Sequence, residues 1–415
     1  MKKEIKERIE MINNGEVPEG YKKTKLGIIP EEWQIYEMDH FFTFKNGINA
    51  SKDKYGSGIK FINTLEVLNN NAIAYSDIKG SVEISDKKLI KNSVKKGDIL
   101  FNRTSETADE IAKSAVYTSD ETVTFGGFII RATENRDDFD LNYKKYAFNS
   151  NLMRREFKKR GQGISRINIG QNELGNVPVI LLLKNEQKQI ANILQTWDEA
   201  IELKEKLLEK KKDIKKGLIK SLLTGKVRLK GFDAQWGNFQ LSNFVKKRKG
   251  KVVKNNINGK YPCIDMKYIT TGTPENFTNE EGVKAVENDI LILWDGSRAG
   301  KVYTGYEGVI GSTIAVLNPK AINGNFLAKL LQLGSRRIRS LTEGSGIPHV
   351  PSDFIKVYKI YIPTDIDEQN AITDILSKSD QSIELLEKEI ELLREEKKGL
   401  MQLLLTGKVR VNETN

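Results

Sequence analysis

Cysteine is nearly absent: Cys263 stands alone in 415 residues, which excludes an intrachain disulfide framework and a thiolate zinc cluster. Histidine is almost as scarce, with only His40 and His349, and this argues against His-rich metal sites. No apolar run follows the opening Met1-Lys2-Lys3, and none approaches the length of a membrane span. The longest run, Val177 to Leu183, suits a buried strand, and the expectation is a cytoplasmic protein. Catalytic signatures are missing too. The Thr-Gly-Lys triplets ending at Lys226 and Lys408 lack the upstream glycine of a Walker loop, so both lysines read as helix-end features. There is no Asn-Pro-Pro-Tyr or Asp-Pro-Pro-Tyr motif, and no glycine-rich cofactor loop follows a strand. Glu-x-Lys triplets such as Glu202-Leu203-Lys204 fall inside charged helices, where composition alone produces them. No serine, cysteine or histidine sits in a catalytic setting, and no metal ligand set is expected.

What is present is positive charge and a duplication. The formal net charge is +11, with 38% hydrophobic and 30% charged residues, which fits adequate cores under a charged surface and favours a polyanionic partner. The segment from Glu186-Gln187 to Leu222-Leu223-Thr224-Gly225-Lys226-Val227-Arg228 recurs from Glu368-Gln369 to Leu404-Leu405-Thr406-Gly407-Lys408-Val409-Arg410 without insertion. About half the aligned positions are identical, beyond what shared helical composition gives. Each copy reads as one long helix. In the second, Leu376, Ile383, Leu386, Ile390, Leu393, Leu400 and Leu404 form the seam of a coiled coil. The first keeps Leu194, Trp197, Ile201, Leu208, Leu218 and Leu222, but puts Lys204, Lys211 and Lys215 where the seam should be apolar. Those lysines are expected to lay their stems along a partner and keep the ammonium wet. Asn185 and Asp365 are expected N-caps, the latter with Glu368 closing a capping box. Gly225 and Gly407 stand where a left-handed residue ends a helix. About 38 residues at 1.5 Å rise make a rod of roughly 55–60 Å, too long to bury its stripe alone.

The rods punctuate the chain. A helical segment, 1–22, carries Ile5, Ile9 and Ile12; a mixed strand-and-helix region fills 23–183, with a helix expected from Tyr143 to Lys159. A long helical region covers 184–228, a second mixed region 229–363, a second long helical region 364–410, and a tail 411–415. The fold class is α/β (α+β), two mixed globules separated by two long helices with a pseudo-two-fold internal repeat. The globules differ in sequence but share landmarks. Gly97-Asp98-Ile99-Leu100 is echoed by Asn288-Asp289-Ile290-Leu291, and Phe125-Gly126-Gly127-Phe128 by Val309-Ile310-Gly311-Ser312. Gly161-Gln162-Gly163-Ile164 is echoed by Gly344-Ser345-Gly346-Ile347.

This layout, with Leu-Leu-Thr-Gly-Lys closing each rod and Gly27-Ile28-Ile29-Pro30-Glu31-Glu32-Trp33 opening the first globule, resembles the specificity subunit of type I restriction–modification enzymes over essentially the whole chain. The resemblance implies that each globule is a target recognition domain and that the rods pair as an antiparallel coiled coil. It also implies a noncatalytic subunit that reads a bipartite sequence in double-stranded DNA and holds two methyltransferase subunits. Motor–nuclease subunits join the full complex. S-adenosylmethionine, ATP and magnesium would then belong to those partners. Two rivals stand beside this reading: a methylation-only or orphan system, and a coiled-coil assembly protein whose globules bind protein or glycan.

Basic clusters supply the candidate DNA contacts. Arg154, Arg155, Lys158, Lys159 and Arg160 end a predicted helix and run into Gln162, Ser165, Arg166 and Asn168; Arg336, Arg337 and Arg339 precede Ser345 and His349. Such helix ends are often only solvated faces, but recurrence before the same kind of turn favours contact. Arg103, Thr104 and Ser105 follow one strand, and Ser297 and Arg298 another; polar loops there suit base edges, although Asp295-Gly296 is also an ordinary hairpin signal. The run containing Lys247 and Arg248 is either a loop that follows phosphates or a solubilising turn. Lys210-Lys211-Lys212 with Lys215-Lys216 reads as helix surface or a methyltransferase contact.

Overall fold

The duplicated segment folds as two helices of nearly equal length, Lys184–Leu222 and Ile366–Leu405. The computed structural model describes residues 3–411, and the chain divides into two compact units. One takes the chain up to Leu203 together with the chain from Ile390 onward, and the other takes Lys204–Glu389. Each unit therefore holds one mixed globule and a portion of both long helices.

In the first unit the helix Lys3–Asn13 buries Ile5 and Ile12, and a hairpin pairs Tyr21–Thr24 with Gly27–Pro30. A five-stranded sheet runs in the order Phe42–Asn46, Ile129–Glu134, Ile99–Asn102, Ser114–Tyr117, Ala72–Ile73, antiparallel except for its last pair. The strand Ile99–Asn102 is buried on both faces, because Ile99 and Phe101 point into one core and Leu100 into another. Phe42, Phe139, Phe148 and Phe157 fill the larger core, Phe42 and Phe139 stacking at 5.5 Å. The predicted helix over 143–159 is two helices, Leu141–Ala147 and Asn151–Arg160. Between them Asn149 bonds both backbone groups of Ser114, and Ser150 caps the second helix through Met153 N at 3.3 Å. Helical periodicity carried straight through a break that tertiary hydrogen bonds impose.

The second unit repeats the wiring. Val245–Lys249, Ile314–Pro319, Ile290–Leu293 and Val302–Tyr303 form one antiparallel sheet. Ile290 and Ile292 face one core while Leu291 and Leu293 face another. In both units a buried aspartate precedes that central strand and folds its turn: Asp98 accepts from Lys95 N at 2.8 Å, and Asp289 from Val286 N at 3.1 Å. Burial raises the Asp98 carboxyl above its ordinary value despite Arg131 at 3.8 Å.

Within each unit the two long helices lie side by side. In the first, Leu194, Ile201, Ile390 and Leu404 are buried, Trp197, Leu393 and Leu400 are half-buried, and Asp198 pairs with Lys397. In the second, Leu222, Leu376, Ile383 and Leu386 are buried and Leu208 and Leu218 half-buried. There the seam lysines find partners: Lys204 meets Glu389 at 2.8 Å, Lys211 meets Ser382 at 2.8 Å, and Lys215 pairs with Asp380. Lys212, read from the sequence as helix surface, meets Glu387 at 3.0 Å. Rising numbers on one helix meet falling numbers on the other, so the pairing is antiparallel.

Two capping expectations are corrected. Asn185 lies exposed inside the first helix, not ahead of it. Asp365 does cap the second, accepting from Asp367 N at 2.8 Å, but Glu368 does not reach back to it. Glu368 is fully buried and takes a two-pronged ion pair from Arg228, at 2.7 and 2.8 Å, plus Trp236 Nε1 at 3.3 Å. The first unit builds the same latch: Glu186 takes Arg410 at 2.7 and 3.1 Å and Trp33 Nε1 at 3.0 Å.

Candidate nucleic-acid interface

Two stretches that are far apart in the sequence meet at one edge of the first globule. Thr104–Ser105, which follows the central strand, pairs antiparallel with Ile167–Asn168. The Thr104 hydroxyl donates to Asn168 Oδ1 at 2.7 Å. Gln162 and Asn168 exchange both backbone hydrogen bonds at 2.8 Å, which closes residues 162–168 into a tight hairpin. Gly163 lies at φ +117°, and a Cβ there would run into the Arg166 carbonyl oxygen, so the turn needs glycine. Every residue from Gln162 to Arg166 is exposed. Arg166 reaches only Glu106, at 4.0 Å, and Ile169 N donates to Arg103 O at 3.0 Å, tying the hairpin to the loop that carries Arg103.

The second globule makes the same object from different residues. Glu343 and His349 exchange backbone bonds at 2.9 and 2.8 Å, Gly344 has φ +101°, and its Cβ would strike the Ile347 carbonyl oxygen. Asp295 bridges to His349, and Gly296 N donates to Pro348 O at 2.8 Å. Ser297 and Arg298 are exposed beside it, and Arg339 reaches the Ser297 carbonyl at 3.1 Å. The cleft at this edge measures about 550 Å³ and is lined by Lys267, Thr270, Thr271, Asp295, Ser297 and Arg298.

These contacts shift the sequence alignment of the globules. Gly163 corresponds to Gly344, two positions from the echo in the sequence. Arg103 N bonds Phe128 O at 2.8 Å where Trp294 N bonds Thr313 O at 2.7 Å, so Trp294 holds the place of Arg103 and Arg298 has no counterpart there. Lys247 and Lys249 lie 4.3 and 6.0 Å from the centre of the Trp294 ring.

The basic helix ends are largely engaged. Arg154 spends its guanidinium on the Asp109 and Ile111 carbonyls, and burial pushes its pKa down to about 10. Lys158 pairs with Asp109. The buried carboxylate of Glu156 takes Lys159 at 2.7 Å and Arg160 at 3.2 Å, with Arg155 at 3.8 Å, and Arg160 also reaches Asn176 O at 3.0 Å. Ser105 is buried on Glu110 at 2.9 Å. Arg336 is exposed, while Arg337 lies over the Tyr358 ring at 4.8 Å. Val245–Lys249 is a strand and not a loop or turn: Arg248 bonds Asn318 Oδ1 at 2.8 Å and Lys284 O at 3.0 Å, and Lys247 bonds Ser352 O at 2.6 Å. Burial lowers the Lys247 ammonium below an ordinary lysine. On the hairpins and the loops beside them Gln162, Ser165, Arg166, Asn168, Ser297 and Arg298 are exposed, while Arg103 is half-buried and its Nη1 donates to Gly127 O at 3.4 Å. Ser345 is exposed at one hairpin tip, and His349 is half-exposed at its base.

The description "Type I restriction modification DNA specificity domain" matches residues 30–211 and again 234–395, one copy per globule with its following helix. The chain belongs to this family. A Methanocaldococcus jannaschii protein, the type I restriction enzyme MjaVIII specificity subunit, is 37% identical over 180 residues, a match spanning 41% of this chain and 42% of that protein. From the same organism, the putative type I restriction enzyme MjaX specificity subunit is 26% identical across 95% of this chain and 97% of its own length. Among solved structures, a chain from a study of the assembly and conformational transition of the type I R-M system superposes with TM-score 0.65 at 13% identity, covering 92% of this chain and 99% of that one. The HsdS subunit from Thermoanaerobacter tengcongensis superposes with TM-score 0.57 at 14% identity, covering 92% and 98%. At those identities the likeness speaks for the fold. Among the described residues no helix is long and apolar enough to cross a membrane, and no group of three or more His, Cys, Asp or Glu is placed to hold a metal.

Sequence reasoning missed part of this edge in a family member. Phe128 stands exposed next to the Arg103 loop, whereas Trp294, at the matching place, is a buried core residue with Lys247 over its ring. Phe128 carried no signal, because a lone aromatic in a strand-end loop looks like core.

Proposed function

We propose that the chain is the noncatalytic specificity subunit of a type I restriction–modification complex, each globule reading one half of a bipartite target in double-stranded DNA. The observation that carries this reading is the repeated hairpin: each unit projects one tight glycine turn beside a strand-end loop, with its own set of hydrogen-bonding side chains. In the first unit that set is Arg103, Gln162, Ser165, Arg166 and Asn168; in the second it is Ser297, Arg298, Ser345 and His349, with Arg339 tied to the loop through Ser297 O. Arginine is suited to guanine, and asparagine and glutamine to adenine, while the remaining lysines and arginines are suited to phosphates.

The paired helices are assigned the docking of two methyltransferase subunits. Leu203, Leu207 and Ile214 on the first helix and Leu385 and Leu392 on the second are exposed, and Leu203 and Leu385 are equivalent positions of the duplication. Two equivalent apolar positions suit two copies of one partner. S-adenosylmethionine is then held by those subunits, and ATP and magnesium by motor–nuclease subunits. A base methylated within a duplex must leave the stack, so the complex opens its target.

The test is binding of the chain, assembled with its methyltransferase partner, to duplex DNA over a salt series. Several phosphate contacts predict a slope of log affinity against log salt of about −4 or steeper. Salt-insensitive binding, or none, contradicts the reading.

A further inference from the structure

Each hairpin tip carries an isoleucine that nothing in its unit covers. Ile164 has 103% and Ile347 70% of full exposure. An isoleucine held this far from any core adds nothing to folding, and both tips sit among polar and cationic groups. Ile164 has Gln162, Ser165 and Arg166 beside it; Ile347 has Ser345 beside it, with Arg298 on the loop that Gly296 ties to Pro348. The presentation is rigid. The cross-hairpin bonds 162–168 and 343–349 and the positive-φ glycines fix both turns, so little conformational freedom is lost when the tip seats against a ligand.

A groove wall that offers donors and acceptors around one apolar contact is the major groove of duplex DNA at a thymine, whose C5-methyl is the lone apolar group on the base edges there. Arginine and amide side chains flanking the isoleucine fit the remaining edges. We infer that Ile164 in the first unit and Ile347 in the second are specificity-determining residues that each seat on a thymine methyl of their half-site. This rests on the DNA-reading function proposed above. The two isoleucines stand at different places in the aligned turns, since Gly163 matches Gly344, and so they touch different positions of their respective half-sites.

The experiment replaces each thymine of the target by deoxyuridine, one at a time, and measures binding by the chain assembled with its methyltransferase partner. The wild type loses about tenfold affinity at one thymine per half-site. Ile164→Ser loses about as much on the unmodified target and becomes indifferent to deoxyuridine at the position in the first half, and there only. Ile164→Leu stays within about threefold of wild type, which separates an apolar contact from a folding defect. Ile347→Ser does the same for the second half. Indifference of the wild type to every deoxyuridine, with discrimination against other sequences intact, overturns the inference and leaves the DNA-reading function standing. So does an Ile164→Ser protein that keeps its deoxyuridine sensitivity. A wild type that binds target and random duplex alike overturns both.

Discussion

Glu186 and Glu368 show how much a single side chain carries here. Each is a buried acid at the start of a long helix whose charge is balanced by an arginine, Arg410 or Arg228, and whose remaining capacity is taken by a tryptophan indole. Removing Glu368 takes away the ion pair of Arg228, which keeps the Phe232 and Ala234 carbonyls, and the acceptor of the Trp236 indole N–H. Glu368→Ala is therefore expected to cost about 3 kcal/mol in urea unfolding. Asp380 supplies a pH prediction. Burial raises its carboxyl, but hydrogen bonds from Lys215 and Lys329 outweigh that, and the net value lies below the ordinary 3.8. A lowered folded pKa gives stability that is present above 3.8 and lost as the pH falls through the folded value. With 36% of the side chain exposed, the increment is at most about 1 kcal/mol. Asp380→Asn loses it at neutral pH and flattens the acid limb of a stability–pH curve. Arg154 belongs to the structure rather than to the surface, so Arg154→Ala lowers the melting temperature more than it lowers DNA affinity. From sequence, Glu368 looks like a cap because it stands three residues after Asp365. Only the fold brings Arg228, 140 residues away, onto it.

Among elements, the long helices were the most legible, because a duplicated heptad-like stripe is a local pattern. The polar part of the seam was legible as stems with wet ends, but not its partners, which depend on antiparallel register. The hairpins were legible only in pieces. Thr104 and Asn168 lie 64 residues apart, and a two-residue ladder has no periodicity to announce it. Glycine spacing suggested Gly161 against Gly344, whereas the positive φ values select Gly163. Gly163→Ala is expected to distort the tip while leaving the core intact: target discrimination falls about tenfold or more, with the melting temperature nearly unchanged. If the helices set the unread gap, four residues inserted at matching heights in both add roughly 6 Å of helix, nearly two base-pair steps. Methylation mapping of that variant should show the same half-sites with a longer gap.

For the whole molecule, the net charge of +11 and the two copies of the family domain point the same way, to one polyanion addressed twice. Divergent globules on a duplicated pair of helices give a reader whose halves vary independently, so a change at one hairpin should alter one half of the target. The most direct measurement is methylome sequencing of a host carrying this chain and its methyltransferase partner, beside the same host carrying Arg298→Ala. The account predicts a split target with a fixed unread gap, and relaxation in the variant at positions of one half alone. A contiguous target, or relaxation spread over both halves, would contradict it.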